Sequence, residues 1–227
     1  MTYEYEINAL AKGDSWRMFR IIGELVEGFD NLSGIEPAVS IYGSARLKAD
    51  DPLYKQVEEI AHRLGELGFS IISGGGPGVM EAANKGALDA GVTSIGLNIS
   101  LEEAQLCNPY TTKSMTFKHF FVRKVMLVKY ATAFIIMPGG LGTLDELTEI
   151  LTLMQTHKIK PFPVVLFDGT FWKGFLDWLR GTVLAKGFVS EEDFDLVRVC
   201  DGTDEVIETI QKWYIKQEIV GRKAVVR

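Results

Sequence analysis

The sequence predicts an α/β domain built on a doubly wound parallel sheet, with helices on both faces and a helical extension at its N-terminus. Three observations predict it. From Ala38 onward, short β-rich runs alternate with helical patterns. The runs are continuously apolar rather than alternating, as expected of strands covered on both faces. Three of them end in glycine-containing turns, and in such a sheet those turns open at the carboxyl edge, where ligands bind.

Taken in order, the predicted strands are Ala38–Tyr42, Phe69–Ser73, Thr93–Leu97, Ala133–Met137, Pro163–Phe167 and Leu196–Val199. Helical patterns fall between and after them, near Pro52–Leu67, Val79–Ala90, Lys118–Tyr130, Leu141–His157, Phe171–Leu184 and Asp204–Gln217. Residues 1–37 stand outside the alternation. There Trp16, Phe19, Ile22, Leu25 and Val26 recur at helical spacing, so a leading helix packs on the sheet's edge or against a partner subunit. No internal repeat, low-complexity tract or linker interrupts the chain. The expectation is therefore one domain over 38–227 preceded by an extension over 1–37.

The totals narrow the class. The chain has 227 residues, enough to bury a core without disulfides or metals. Its 24 Lys and Arg against 30 Asp and Glu leave a net charge of −6, which argues against nucleic-acid or membrane-surface binding while allowing a local basic pocket. Cys107 and Cys200 form no CxxC pair, so a reducing, cytoplasmic setting is expected. The first residues, with Glu4 and Glu6, do not read as a secretory signal, and no apolar run approaches the length of a membrane span.

The glycine turns carry the chemistry. The first is Tyr42-Gly43-Ser44-Ala45-Arg46; the second runs from Ser73 through Gly74, Gly75, Gly76 and Gly78 into a helix; the third is Pro138-Gly139-Gly140-Leu141-Gly142-Thr143-Leu144-Asp145-Glu146. A single such turn needs only its positive φ to explain the glycine. Several at predicted strand ends, two of them multi-glycine, point to a phosphate-bearing ligand held by backbone N–H groups and a helix N-terminus. Glu146 is out of place in a pure phosphate cradle, because a carboxylate repels the ligand. It is a residue aimed at chemistry beside the phosphate.

Absent motifs narrow the ligand. No GxxxxGK[ST] occurs, and neither multi-glycine turn completes GxGxxG, so a single phosphate, as in a mononucleotide, fits better than a triphosphate or a dinucleotide. His62, His119 and His157 are scattered and no HExxH exists, so no metal is expected. Arg123 and Lys124 interrupt an otherwise apolar helix. The guanidinium of Arg123 suits phosphate, ribose or carboxylate recognition. Lys124 has two readings, a site contact or a surface cation paired with carboxylates.

Together, Gly74–Ala83 (GGGPGVMEAA), Phe120–Lys124 (FFVRK) and Pro138–Glu146 (PGGLGTLDE) resemble the LONELY GUY (LOG) family, often labelled "lysine decarboxylase-like" or Rossmann-fold nucleotide-binding proteins. The resemblance spans roughly Ala38 to Thr182. It implies a Rossmann-like fold and a phosphoribohydrolase activity that cleaves the N-glycosidic bond of AMP or a cytokinin riboside 5′-monophosphate into free base and ribose 5-phosphate. It also implies that Arg123 and Glu146 are catalytic and that Gly140, Leu141, Gly142 and Thr143 form the phosphate-side loop. Lys124 and Thr152 become further substrate contacts. No cofactor is implied, and the expected assembly is a homodimer or a higher homo-oligomer. The plant-type pattern has MHERK where FFVRK stands here. Two other readings compete: a non-catalytic nucleotide or molybdenum-cofactor carrier of the same fold, and a literal lysine decarboxylase, which would need a lysine bearing pyridoxal phosphate.

Overall fold

The computed structural model describes residues 15–35, 37–100 and 107–225, with side chains over 16–35, 37–100 and 107–216. The first fourteen residues of the expected extension, including Glu4 and Glu6, lie outside the described residues. Helix α1 (Ser15–Leu32) leads, and then come β1 (Ala38–Tyr42), α2 (Pro52–Glu66), β2 (Ser70–Ser73), α3 (Val79–Asp89) and β3 (Ser94–Ile99). After β4 (Lys113–Phe117) come α4 (Phe120–Lys129), β5 (Ala133–Ile136), α5 (Leu141–Gln155), β6 (Val164–Phe167) and α6 (Gly169–Trp178). A π-helical segment (Leu179–Leu184), a 3-10 segment (Glu191–Leu196), β7 (Val197–Cys200) and α7 (Thr203–Val225) complete the chain.

The seven strands form one sheet in the order β4-β3-β2-β1-β5-β6-β7, and every pair is parallel. Alternate strand residues feed two cores. On one face Ala38, Tyr42, Phe134, Ile136, Val164 and Leu166 meet α1, α4, α5 and α6. On the other Val39, Ile41, Ile135, Val165 and Phe167 meet α2, α3 and α7. The sheet is thus covered on both sides by apolar helix faces, which is why its strands read as unbroken apolar runs.

The sequence prediction missed β4. Its residues Lys-Ser-Met-Thr-Phe alternate between exposed and buried positions, because an edge strand has one paired side and a half-solvated face. Helix α4 starts at Phe120 rather than Lys118, since His119 is still extended at φ −107°, ψ 120°. The predicted helix over Phe171–Leu184 is instead an α-helix from Gly169 that widens into a π-helical turn at Leu179. It begins where Asp168, at φ 73°, turns its carboxylate to accept from the Phe171 amide at 3.1 Å.

The order of strands fixes where a ligand can sit. After β1 the chain goes out to β2, β3 and β4, then crosses back to place β5 on the other side of β1. The adjacent carboxyl ends of β1 and β5 therefore diverge into helices of opposite faces, and the crevice between them is the binding position of a doubly wound sheet.

Candidate functional site at the β1–β5 switch point

Three glycine turns meet at this crevice, tied by backbone hydrogen bonds. The Ser44 amide donates to the Pro138 carbonyl at 3.0 Å, and the Val79 amide donates to the Ser44 carbonyl at 3.0 Å. Gly43 allows the approach, because a Cβ there would lie 2.7 Å from Val79. Gly78, at φ +70°, would drive a Cβ into the Ser44 carbonyl oxygen. The Ser44 hydroxyl is used locally, accepting from the Arg46 amide at 3.1 Å.

Beneath the second turn lies a buried amide network. Asn84 of α3 accepts from the Ser73 hydroxyl at 2.6 Å and from the Asn108 amide at 2.9 Å, and donates to Ser94 Oγ at 2.9 Å. Asn108 also donates to the Gly76 carbonyl at 3.0 Å, and its backbone N–H donates to that of Gly75 at 2.9 Å. Gly75, at φ +71°, faces Asn98, whose Oδ1 would lie 2.5 Å from an added Cβ. Gly74, Gly75 and Gly76 are all buried.

The third turn is different. Gly140 is the N-cap of α5 and has no side chain to offer; its carbonyl accepts the Thr143 and Leu144 amides, both at 3.0 Å, which leaves the Leu141 and Gly142 N–H groups ahead of the helix's own ladder. An added Cβ at Gly140 or Gly142 would meet nothing within 4 Å, and Leu141 between them is 85 % exposed. Gly139 is held against the side chain of Thr143, which is buried.

Helix α4 brings Arg123 to the same place. One guanidinium nitrogen, Nη2, lies against Gly74, where a Cβ would come within 2.5 Å of it. Glu146 comes from the second turn of α5 and is 8 % exposed. Burial pushes its pKa up to about 7, against the opposing pull of Arg123 and Lys124. Burial also lowers the pKa of Arg123, while Glu146 and then Tyr42 act to raise it. Tyr42, on β1, is held well above the ordinary phenol value by burial and then by the charge of Glu146. These three groups therefore share one weakly screened environment. Among the described residues no direct ion pair joins Arg123 to Glu146, and Arg123 Nε and Glu146 Oε2 are both buried without a hydrogen-bond partner.

The remaining predicted residues separate. Lys124, the next residue of α4, pairs with Asp145 at 2.9 Å and Glu149 at 3.2 Å, which flank Glu146 in the sequence of α5. Burial works against its charge, but those two hydrogen bonds hold its pKa above the ordinary lysine value. Thr152 stands six residues past Glu146 on α5, roughly 120° around the axis, exposed and donating to the Thr148 carbonyl at 2.7 Å. That rotation turns its side chain away from that of Glu146. Asn84, Asn98 and Asn108 escaped the sequence reading as site-shaping residues. The available signal was an amide inside an apolar strand or helix, where a buried polar group must find partners.

The chain is similar to known proteins over most of its length. A protein from rice (Oryza sativa subsp. japonica), cytokinin riboside 5′-monophosphate phosphoribohydrolase LOG, is 28 % identical over 165 residues, covering 71 % of this chain and 67 % of its own. A cytokinin riboside 5′-monophosphate phosphoribohydrolase from Mycobacterium tuberculosis is 28 % identical over 169 residues, covering 70 % and 88 %. Among solved structures, the molybdenum cofactor binding protein of Rippkaea orientalis superposes with a TM-score of 0.56 at 21 % identity, over 78 % of this chain and 95 % of that one. At that identity the likeness concerns the fold alone. The family described as "Possible lysine decarboxylase" matches residues 80–210, more than half of the sequence. The chain belongs to this family, the LOG family of Rossmann-like proteins that includes phosphoribohydrolases.

Proposed function

We propose that the protein hydrolyses the N-glycosidic bond of a purine nucleoside 5′-monophosphate, AMP or a cytokinin riboside 5′-monophosphate, to free base and ribose 5-phosphate. One observation carries the reading: a half-buried arginine and a buried glutamate interact beside an open glycine turn at the switch point. A purely phosphate-binding or carrier site has no need of that carboxylate.

In this mechanism the 5′-phosphate lies on the N–H groups of Gly139–Gly142, with Thr143 beside them, at the start of α5, where the helix dipole favours an anion. Gly43, Ser44 and the Gly74–Gly78 turn form the adjoining wall, and Arg123 supplies a fixed cation to the substrate. Glu146, one turn beyond the phosphate loop, faces the ribose. As the C1′–N bond breaks, its electron pair leaves with the base and positive charge develops on the ribose. The ionised carboxylate stabilises that charge and takes the proton of the water that adds to C1′. The departing base acquires its proton from solvent or from a second acid. A general base of this kind is worth about 10²–10⁴-fold in rate, and anchoring the remote phosphate positions the sugar.

The decarboxylase label does not fit the lysine nearest the site. A Schiff-base lysine works with a lowered pKa, whereas Lys124 is tied to two carboxylates that hold its proton. We also propose that the working unit is a homo-oligomer, because Phe19, Ile22 and Val26 of α1 and Phe120, Phe121 and Val125 of α4 leave a large apolar face exposed. Light scattering gives its size.

The test is release of free base from a panel of nucleoside monophosphates. Wild-type protein is expected to liberate adenine and ribose 5-phosphate from AMP, with kcat/KM rising with pH through about 7 as Glu146 ionises. Glu146→Gln is expected to lose about 10²-fold or more in kcat while still binding AMP. Undiminished cleavage by that variant removes Glu146 from the mechanism. Tight pterin binding with no base release from any monophosphate favours the carrier reading instead.

A further inference from the structure

Helix α4 carries Arg123, yet its own sequence starts it poorly. Its N-cap, His119, makes no side-chain capping bond, and its first turn holds no acidic residue. Lys118, Arg123 and Lys124 instead cluster positive charge at the end where the helix dipole is already positive.

The missing carboxylate comes from outside. Glu24, midway along α1, accepts from the Lys118 amide at 3.2 Å through Oε1 and from the His119 amide at 3.3 Å through Oε2. The same Oε2 lies 3.1 Å from His119 Nδ1, and both side chains are largely buried, at 14 % and 11 % exposure. The His119 carbonyl in turn accepts the Arg123 amide at 3.2 Å, in the opening turn of α4. A chain of short contacts thus runs from Glu24 to the backbone of Arg123. Further down, Gly28 lets α1 press against Met126, with a Cβ there only 2.7 Å from Met126 Cε, and the Tyr130 hydroxyl donates to the Phe29 carbonyl at 3.2 Å. Helix α1 splints α4 along its length.

We propose that Glu24 is a positioning residue, holding the start of α4 so that the Arg123 guanidinium stays against Gly74 and beside Glu146. Helix α1 lies outside residues 80–210, where the family match falls. The inference rests on the phosphoribohydrolase reading for its catalytic consequence. A displacement of the guanidinium by about 1 Å is enough for a loss on the order of 10²-fold.

The experiment compares wild type, Glu24→Ala and Glu24→Gln in AMP cleavage, melting temperature and amide hydrogen exchange. For Glu24→Ala we expect kcat to fall at least tenfold with KM for AMP changed less than threefold, at a temperature where the variant is fully folded. Exchange at the Lys118, His119 and Arg123 amides should accelerate at least tenfold relative to β1. Glu24→Gln keeps one acceptor oxygen and should recover kcat to within about threefold of wild type. Full kcat in folded Glu24→Ala, or unchanged exchange at the Lys118, His119 and Arg123 amides, overturns the proposal. Absence of base release by the wild type defeats the phosphoribohydrolase reading itself, and the exchange measurement then still decides whether Glu24 splints α4.

Discussion

Two glycine turns end neighbouring parts of the same sheet edge, and the protein treats them oppositely. The turn over Ser73–Gly78 is buried and fully engaged: Asn84, Asn98 and Asn108 fill its inner side, Arg123 lies on Gly74, and the Ser44 carbonyl closes on Gly78. The turn over Pro138–Thr143 is engaged on one side only, through Thr143 and the Ser44 amide, while Gly140 and Gly142 face open space. Glycine serves the first turn by allowing protein to approach protein. In the second it leaves the space beside Gly140 and Gly142 open. The same residue type thus serves close packing in one turn and an unfilled surface in the other.

That contrast can be broken by substitution. Gly78→Ala puts a Cβ into the Ser44 carbonyl at φ +70°, so it should destabilise the protein by about 3 kcal/mol or more, read from the urea midpoint. Next, Asn84→Ala strands Ser73, Ser94 and Asn108 in the interior. A loss of about 2–3 kcal/mol in the same assay is expected, and a loss below about 0.5 kcal/mol would mean that the network is not holding the turn.

The helix following the open turn carries a penalty of its own. Glu146 titrates near 7 in the folded protein against an ordinary value of 4.5. The folded state therefore binds the proton more tightly than the unfolded chain, and stability must fall as pH rises from about 4.5 through about 7. The ionised carboxylate costs up to about 3 kcal/mol by that shift. Glu146→Gln should match wild type in stability near pH 4 and exceed it by about 1–3 kcal/mol at pH 8, while losing turnover. Denaturant melts at the two pH values check the sign; equal stability at both would show that Glu146 is not buried as described. The smallest stability effect belongs to Gly140→Ala, which meets nothing within 4 Å. It should shift stability by less than about 0.5 kcal/mol yet weaken AMP binding measured by calorimetry, because its methyl group sits at the N-cap of α5. Unchanged affinity would move the phosphate off this turn.

Arg123 and Lys124 offer a second contrast, and it shows how far residue type alone reaches. Both are cations in one apolar helix, adjacent in sequence. A helix turns about 100° per residue, which sends Arg123 to Gly74 in the crevice and Lys124 to Asp145 and Glu149. The two readings of Lys124 could not be separated from its sequence neighbours, since its carboxylate partners lie 21 and 25 positions away on α5. Thr152 enters the site by motif position alone, and in the fold it is exposed, about 120° around α5 from Glu146.

By itself the sequence determined the α/β alternation, the parallel sheet, the leading helix and the three turns, because each is written in local periodicity and in the backbone demands of glycine. It also marked Arg123 and Glu146, whose charges are anomalous in their apolar or phosphate-like settings. Only the tertiary structure decided that the edge strand β4 exists, that one turn is filled and the other open, and that Glu24 completes the start of α4. Those features depend on groups distant in the chain meeting across the sheet edge, and such contacts leave no periodicity for a sequence to display.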